Sequence, residues 1–245
     1  MLYYLFEYLE DCCNVPGAGM FNYVTFRALF AIIVSLFVSI WFGKYFIKLL
    51  KKYQISETQR DESIDPFNTQ KKGVPTMGGI IIIISILIPC LLIGKIKNVY
   101  MILMLVTTVI LGVVGFADDY IKTFKKNKEG LNGWWKVLAQ VSLGLIVGLT
   151  LRFSPAVVMN ETVDIRIENN KEVVIKSPDV KSTRTTIPFV KNNNLNYADF
   201  FDFLGEPYKY WAGWVFFVIL TVFIVTAVSN GSNLNDGMDG MAAGV

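Results

Sequence analysis

Asp118 and Asp119 stand side by side in the run Gly115-Phe116-Ala117-Asp118-Asp119-Tyr120-Ile121-Lys122. Neighbouring carboxylates repel, so holding both ionised where an apolar run ends is costly unless a cation or phosphate chemistry uses them. One can bind Mg²⁺ while the other takes a proton. The alternative is a solvated helix end in which Asp119 and Lys122 pair at i,i+3 for a few tenths of a kcal/mol. A second constellation is Lys71-Lys72-Gly73-Val74-Pro75-Thr76-Met77-Gly78-Gly79. Pro75 and Thr76 suit a helix start with Thr76 as its cap. Helix N-termini attract phosphate, and lysines just before one add compact positive charge. Gly78 and Gly79 thin the first turn, so that a helix or a ligand can approach its backbone. The plainer reading is a capped membrane helix whose lysines snorkel to water. The third constellation is Ser229-Asn230-Gly231-Ser232-Asn233-Leu234-Asn235-Asp236-Gly237-Met238-Asp239-Gly240. On a helix, Asn233, Asp236 and Gly237 share one face, and the two Asp-Gly steps break regular backbone so that amides can face a ligand. Asp-Gly also marks ordinary turns. An EF-hand is excluded, because eleven positions after Asn233 stands Gly244 where that loop needs a bidentate Glu.

Other chemistries are ruled out by what the chain lacks. With no histidine, it cannot build a His-based triad, relay or zinc site by itself. Adjacent Cys12 and Cys13 plus Cys90 in an apolar run give neither a metal-ligand spacing nor a disulfide framework, and are read as structural. A net charge of +3 without a basic, aromatic-interleaved stripe gives no support for nucleic-acid binding.

The elements that must position these groups are membrane helices. The 245 residues are 53% hydrophobic and only 18% charged, with a mean hydropathy of +0.46, and the charges cluster between long uncharged runs. A soluble domain would spread about a quarter charged residues over its surface. A bilayer core about 30 Å thick needs about 20 apolar residues per helical span. Five segments approach that length: Phe21 to Gly43, Gly73 to Gly94, Asn98 to Ala117, Gly133 to Leu151 and Tyr210 to Val228. Trp134, Trp135 and Lys136 open the fourth like interfacial anchors. Gly237 to Val245 reads as the start of a sixth, cut in mid-element, which points to a truncated product. The fold class expected is therefore an all-α polytopic membrane protein with five transmembrane helices and the beginning of a sixth. Its parts are an N-terminal interfacial helix with spans one to four (1–151), an extracytoplasmic insert (152–209), and a fifth span with a cytoplasmic motif (210–245).

Lysines and arginines collect after the first span (Lys44, Lys48, Lys51, Lys52, Arg60, Lys71, Lys72) and the third (Lys122, Lys125, Lys126, Lys128), against only Lys95 and Lys97 between the second and third. The positive-inside rule then puts the N-terminus outside and the loops after spans one, three and five in the cytoplasm. All three constellations thereby share one face. At the N-terminus, Leu2, Leu5, Phe6 and Leu9 recur at helical spacing opposite Glu7, Glu10 and Asp11, which suits a short helix on the membrane surface or one docked on a core. In the insert, Val163, Ile165 and Ile167 alternate with polar residues, Asn169-Asn170 supply a turn, and Val173 to Ile175 follow. That pattern is a β-hairpin.

Lys71 to Gly79, Phe116-Ala117-Asp118-Asp119-Tyr120 and Asn230-x-x-Asn233-x-x-Asp236-Gly-Met-Asp239-Gly together resemble the phospho-N-acetylmuramoyl-pentapeptide transferases, a branch of the polyprenyl-phosphate N-acetylhexosamine-1-phosphate transferases. The resemblance runs from the first span to Val245, apart from the insert. It implies transfer of phospho-MurNAc-pentapeptide from UDP-MurNAc-pentapeptide to undecaprenyl phosphate, giving lipid I and UMP for peptidoglycan synthesis, with Mg²⁺ as cofactor. It further implies catalytic roles for Asp118 and Asp119, a diphosphate contact for Lys71, and contacts to the uridine part from Asn233, Asp236, Gly237, Met238 and Asp239. Asp119 and Asp239 are the metal-ligand candidates. The implied setting is the bacterial inner membrane, with the bilayer as partner, the active site on the cytoplasmic side, and room for a homodimer. The family's further aspartate and histidine-rich loop are missing here, so the isolated chain is expected to be inactive. The insert, longer than the family's usual connection, is expected not to contribute to turnover. A GlcNAc-1-phosphate transferase is the near alternative. A membrane transporter is the distant one, opposed by the clustering of acidic residues at helix ends rather than at mid-bilayer.

Overall fold

The computed structural model describes residues 1–13, 15–52, 77–125, 130–158, 162–168, 171–176, 181–186 and 194–235. Among the described residues six α-helices dominate: α1 (Leu2–Cys13), α2 (Val24–Lys52), α3 (Gly79–Ile93), α4 (Val99–Phe124), α5 (Gly133–Phe153) and α6 (Tyr208–Asn235). Among the described residues, four of them (α2, α4, α5 and α6) are long and apolar enough to cross a membrane. This is a multi-pass membrane protein. α3, the second of the five spans expected from sequence, has 15 residues. At 1.5 Å per residue it is about 22 Å long, short of the roughly 30 Å of a bilayer core. Its start is also later than expected. Met77 takes a left-handed φ of 70° that ends any helix arriving from Thr76, so α3 opens after Gly78. Residues 73–76 lie outside the described residues, as do 236–245, where a sixth helix was expected to begin.

The chain divides into two compact units, Met1–Ala139 and Gln140–Val245. In the first, α2 packs on α3 and α3 on α4. Small residues set the spacing: a methyl group at Gly43 would touch Ile81 Cγ2 at 3.5 Å, and one at Gly112 would come within 2.6 Å of Ile83 Cδ1. Asn98 caps α4 by accepting a hydrogen bond from the Tyr100 N–H at 2.9 Å. At 26 residues α4 is about 39 Å long, so its polar last turns extend past the apolar stretch. The N-terminal helix α1 is docked rather than merely afloat. Phe6 stacks on Phe21 at 4.0 Å, Tyr3 is buried, and the N-terminal ammonium donates to the carbonyls of Leu91 and Leu92 at the end of α3.

In the second unit, α5 and α6 approach closely through Gly144 and Gly148, which face Val222 and Val218. A methyl group at Gly144 would lie 2.7 Å from the Val222 Cα, so only a residue without a side chain allows that approach. The expected hairpin is present: β1 (Thr162–Glu168) pairs antiparallel with β2 (Lys171–Lys176), and Glu168 faces Lys171 across a two-residue connection. A second antiparallel pair, β3 (Arg184–Thr186) with β4 (Asn194–Asn196), was not anticipated. It leads into a 3₁₀ segment, Tyr197–Leu204, that lies on α6 with Tyr197 against Phe216 and Phe217. Arg152, at the end of α5, stacks over Trp214 at 4.7 Å.

Candidate active site

The two adjacent carboxylates part company because successive helical residues point about 100° apart. Asp118 turns inward and is 6% exposed. Its Oδ2 pairs with Lys122 Nζ one turn along α4 at 2.8 Å, and its Oδ1 pairs with Lys136 Nζ at 2.8 Å. Oδ1 also accepts the Leu131 N–H at 2.7 Å. Asp118 thus ties the end of α4 to the start of α5. The turn between them needs Gly130, whose φ of 71° is left-handed and whose missing Cβ would collide with the Asp118 carboxylate. Asn132 then starts α5, accepting a hydrogen bond from the Trp134 N–H at 3.2 Å.

Asp119 faces the other way. It lines a cavity of about 350 Å³ between α3 and α4, opposite Met77, Gly79, Ile80 and Ile83. Gly79 and Gly115 border the same space, and a Cβ at either, or at Gly78, would meet no atom within 4 Å. The backbone of the first turn of α3 is therefore open to a ligand, as the Gly78-Gly79 pair suggested. A helix N-terminus carries a partial positive charge, so this wall of the cavity favours an anion while Asp119 opposes it with a carboxylate. Met77 is buried in its left-handed conformation. Such backbone strain costs about 1–2 kcal/mol for a residue with a side chain, and it sits where the chain enters the cavity wall.

Asn233 occupies the last turn of α6, exposed, in the second unit. Lys71, Asp236, Gly237, Met238 and Asp239 lie outside the described residues. Of the site residues expected from sequence, Asp118 and Asp119 are thus placed side by side with distinct surroundings, and Asp119 alone is placed on the cavity with the start of α3. Sequence reasoning missed Lys136, read as an interfacial anchor; nothing local signals that a lysine 18 positions on meets Asp118. It also missed Gln140. In the second unit Gln140 Nε2 donates to Ser229 Oγ at 2.9 Å, and Asn230 Nδ2 returns a bond to Gln140 Oε1 at 3.0 Å. This part-buried reciprocal pair holds the end of α6, from which Asn233 projects. Gln140→Leu is expected to destabilise the protein by about 1–3 kcal/mol, because it leaves the Asn230 amide with the Thr226 carbonyl as its remaining partner. The Gln140→Leu/Asn230→Leu double variant should recover most of that loss. Thermal unfolding in detergent of the two singles and the double reads this cycle, and strictly additive losses would contradict it.

Mg²⁺ commonly takes one or two protein carboxylates and completes its shell with phosphate oxygens and water. The Asp119 carboxylate, set on a cavity beside an anion-favouring helix start, fits that role. Asp118, with two ammonium groups and an amide already on its oxygens, does not. Among the described residues no group of three or more acidic, cysteine or histidine side chains gathers into a protein-only metal cage.

Residues 101–245 match the family described as Glycosyl transferase family 4. Over 245 residues the chain is 66% identical to a phospho-N-acetylmuramoyl-pentapeptide-transferase of Phocaeicola vulgatus, and 64% identical to one of Bacteroides fragilis. It is 51% identical over 248 residues to a protein of the same description from Flavobacterium psychrophilum. In each case the whole chain is matched, and it spans 58% of the length of the first two relatives and 60% of the third. The resemblance seen in the three motifs therefore holds along the full length of the chain, insert included. With more than half of its residues inside the family match, and with α4 and its two aspartates among them, the chain belongs to glycosyl transferase family 4.

Proposed function

We propose that this chain is part of an enzyme that moves phospho-MurNAc-pentapeptide from UDP-MurNAc-pentapeptide onto undecaprenyl phosphate, yielding lipid I and UMP. The observation that carries the proposal is the placement of Asp119 opposite the open first turn of α3, so that a carboxylate and an anion-favouring backbone border one cavity. A phosphate monoester attacking a diphosphate brings several negative charges together. The reaction therefore needs cationic neutralisation and a fixed in-line geometry more than it needs covalent help from the protein.

In the proposed step, an oxygen of the lipid phosphate attacks the sugar-linked phosphorus of the UDP-sugar. The bond from that phosphorus to the bridging oxygen breaks, and UMP leaves with the electron pair. Asp119 takes the proton from the lipid phosphate if it arrives protonated. Its carboxylate, with Asp239, would hold the Mg²⁺, whose contribution when bound is to neutralise the diphosphate. The first turn of α3 orients phosphate oxygens through its backbone, joined by Lys71 just upstream. Asp118 positions Asp119 by fixing the end of α4 against the start of α5. Asn233, Asp236, Gly237 and Met238 would contact the uridine. The working side is the cytoplasmic face of the bacterial inner membrane, in keeping with the lysines gathered beside the first two motifs.

Joining the chain to the part of the Phocaeicola vulgatus relative outside the match should give membranes that release UMP only when undecaprenyl phosphate, UDP-MurNAc-pentapeptide and Mg²⁺ are all supplied. Membranes with the 245-residue chain alone should release none. UMP release from UDP-GlcNAc at a comparable rate would reassign the sugar, and no release from any nucleotide sugar by a well-expressed, membrane-inserted protein would overturn the reading.

A further inference from the structure

The first unit holds a second cavity, at the opposite end of α4 from Asp119. It has a volume of about 480 Å³ and opens between the start of α2, the end of α3 and the start of α4. Its walls are apolar, formed by side chains such as Ala31, Pro89, Ile93, Met101 and Met104. The charged residues that line it are both cations, Arg27 and Lys95. The Arg27 guanidinium lies 4.8 Å from the centroid of the Tyr3 ring, and the Lys95 ammonium lies 4.6 Å from the same centroid. Among the described residues neither pairs with a carboxylate, and the Arg27 Nε is buried without a hydrogen-bond partner. One aromatic ring attracts each cation by about 0.5–2 kcal/mol, and two like charges lining one apolar groove gain further from an anion within it.

We propose that this groove binds an anionic glycerophospholipid, with an acyl chain along the apolar wall and the headgroup phosphate on Arg27 and Lys95. Charge complementarity selects this occupant. A guanidinium offers paired donors to phosphate oxygens, and a basic pocket between membrane helices is where an anionic headgroup and its chain are satisfied together. A purely apolar occupant would leave the Arg27 Nε unsatisfied and both charges uncompensated. The site is separate from the proposed transfer site: Met101 on the groove and Asp119 are about 27 Å apart along α4 at 1.5 Å per residue. It does not depend on the transferase reading. Its bound lipid would clamp α2, α3 and α4 at the end where α1 also docks.

Cys90 lines the groove and supplies a native probe. In a Cys12→Ser/Cys13→Ser background, the 245-residue chain in detergent micelles containing phosphatidylcholine or phosphatidylglycerol is treated with N-ethylmaleimide, and Cys90 modification is followed by peptide mass. Phosphatidylglycerol is expected to slow modification at least about fivefold relative to phosphatidylcholine, since occupancy protects in proportion to ligand over Kd. Arg27→Gln/Lys95→Gln should abolish the difference. Lys95→Gln alone, on an exposed turn, should reduce it and serves where the double variant fails to fold. Equal rates in the two lipids would overturn the proposal. So would protection that survives both substitutions, or a Cys90 unreactive in either lipid, which would mean that another protein segment fills the groove.

Discussion

Asp119→Asn is expected to lower transfer by the completed enzyme by about 10²–10⁴-fold, the usual worth of a positioned proton acceptor, while membrane insertion and thermal unfolding stay unchanged. The substitution keeps the size and shape of the side chain but removes its charge and its ability to take a proton. Because Asn has the shape of Asp and keeps a hydrogen-bond acceptor on the cavity wall, the fold should tolerate it. If Asp119 also holds Mg²⁺, the apparent Mg²⁺ requirement of the residual activity should rise, whereas loss of a proton acceptor alone would leave it in place. UMP release over a Mg²⁺ series, with wild type and Asp119→Asn at equal expression, separates these. Turnover within about threefold of wild type at saturating Mg²⁺ would remove Asp119 from the catalytic assignment, since no general base of this kind contributes so little.

The same pair of residues shows what could be read from sequence and what could not. That adjacent carboxylates at a membrane helix end need separate surroundings follows from their mutual repulsion, and the apolar helices follow from composition. The hairpin follows equally from local chemistry, and β1 and β2 pair antiparallel as the alternation required. What is invisible locally is which carboxylate faces which neighbour. Helical geometry separates Asp118 from Asp119 by a third of a turn, but only the packing of α5 decides that the inward one meets Lys136. The start of α3 was misjudged for a related reason. A continuous run of apolar residues says how far hydrophobicity extends, not where the backbone stops being helical, and the left-handed Met77 stops it before Gly78. Gln140 was passed over because a single amide in an apolar run looks like noise until its partners, 89 and 90 residues on, are brought beside it.

Asp118→Ala should behave oppositely to Asp119→Asn, with loss of stability as the primary effect and loss of activity following from it. Lys136 is 17% exposed and Asp118 8% by side chain, so removing the carboxylate leaves an ammonium largely out of water with its counter-charge gone. Breaking a buried pair from one side costs about 3–5 kcal/mol, and the Leu131 amide loses its acceptor as well. Asp118→Asn should cost less, because one amide oxygen can still accept from Leu131 while the charge is absent. The decisive comparison is Asp118→Leu/Lys136→Met. If the pair matters for holding α4 to α5, removing both charges with apolar residues of similar volume should restore most of the unfolding temperature lost in either single variant. Restored stability together with restored transfer would confine Asp118 to positioning. Restored stability without transfer would place Asp118, or Lys136, in contact with the reacting phosphates, and an unfolding temperature that Asp118→Ala does not move would show that the network contributes nothing to the fold.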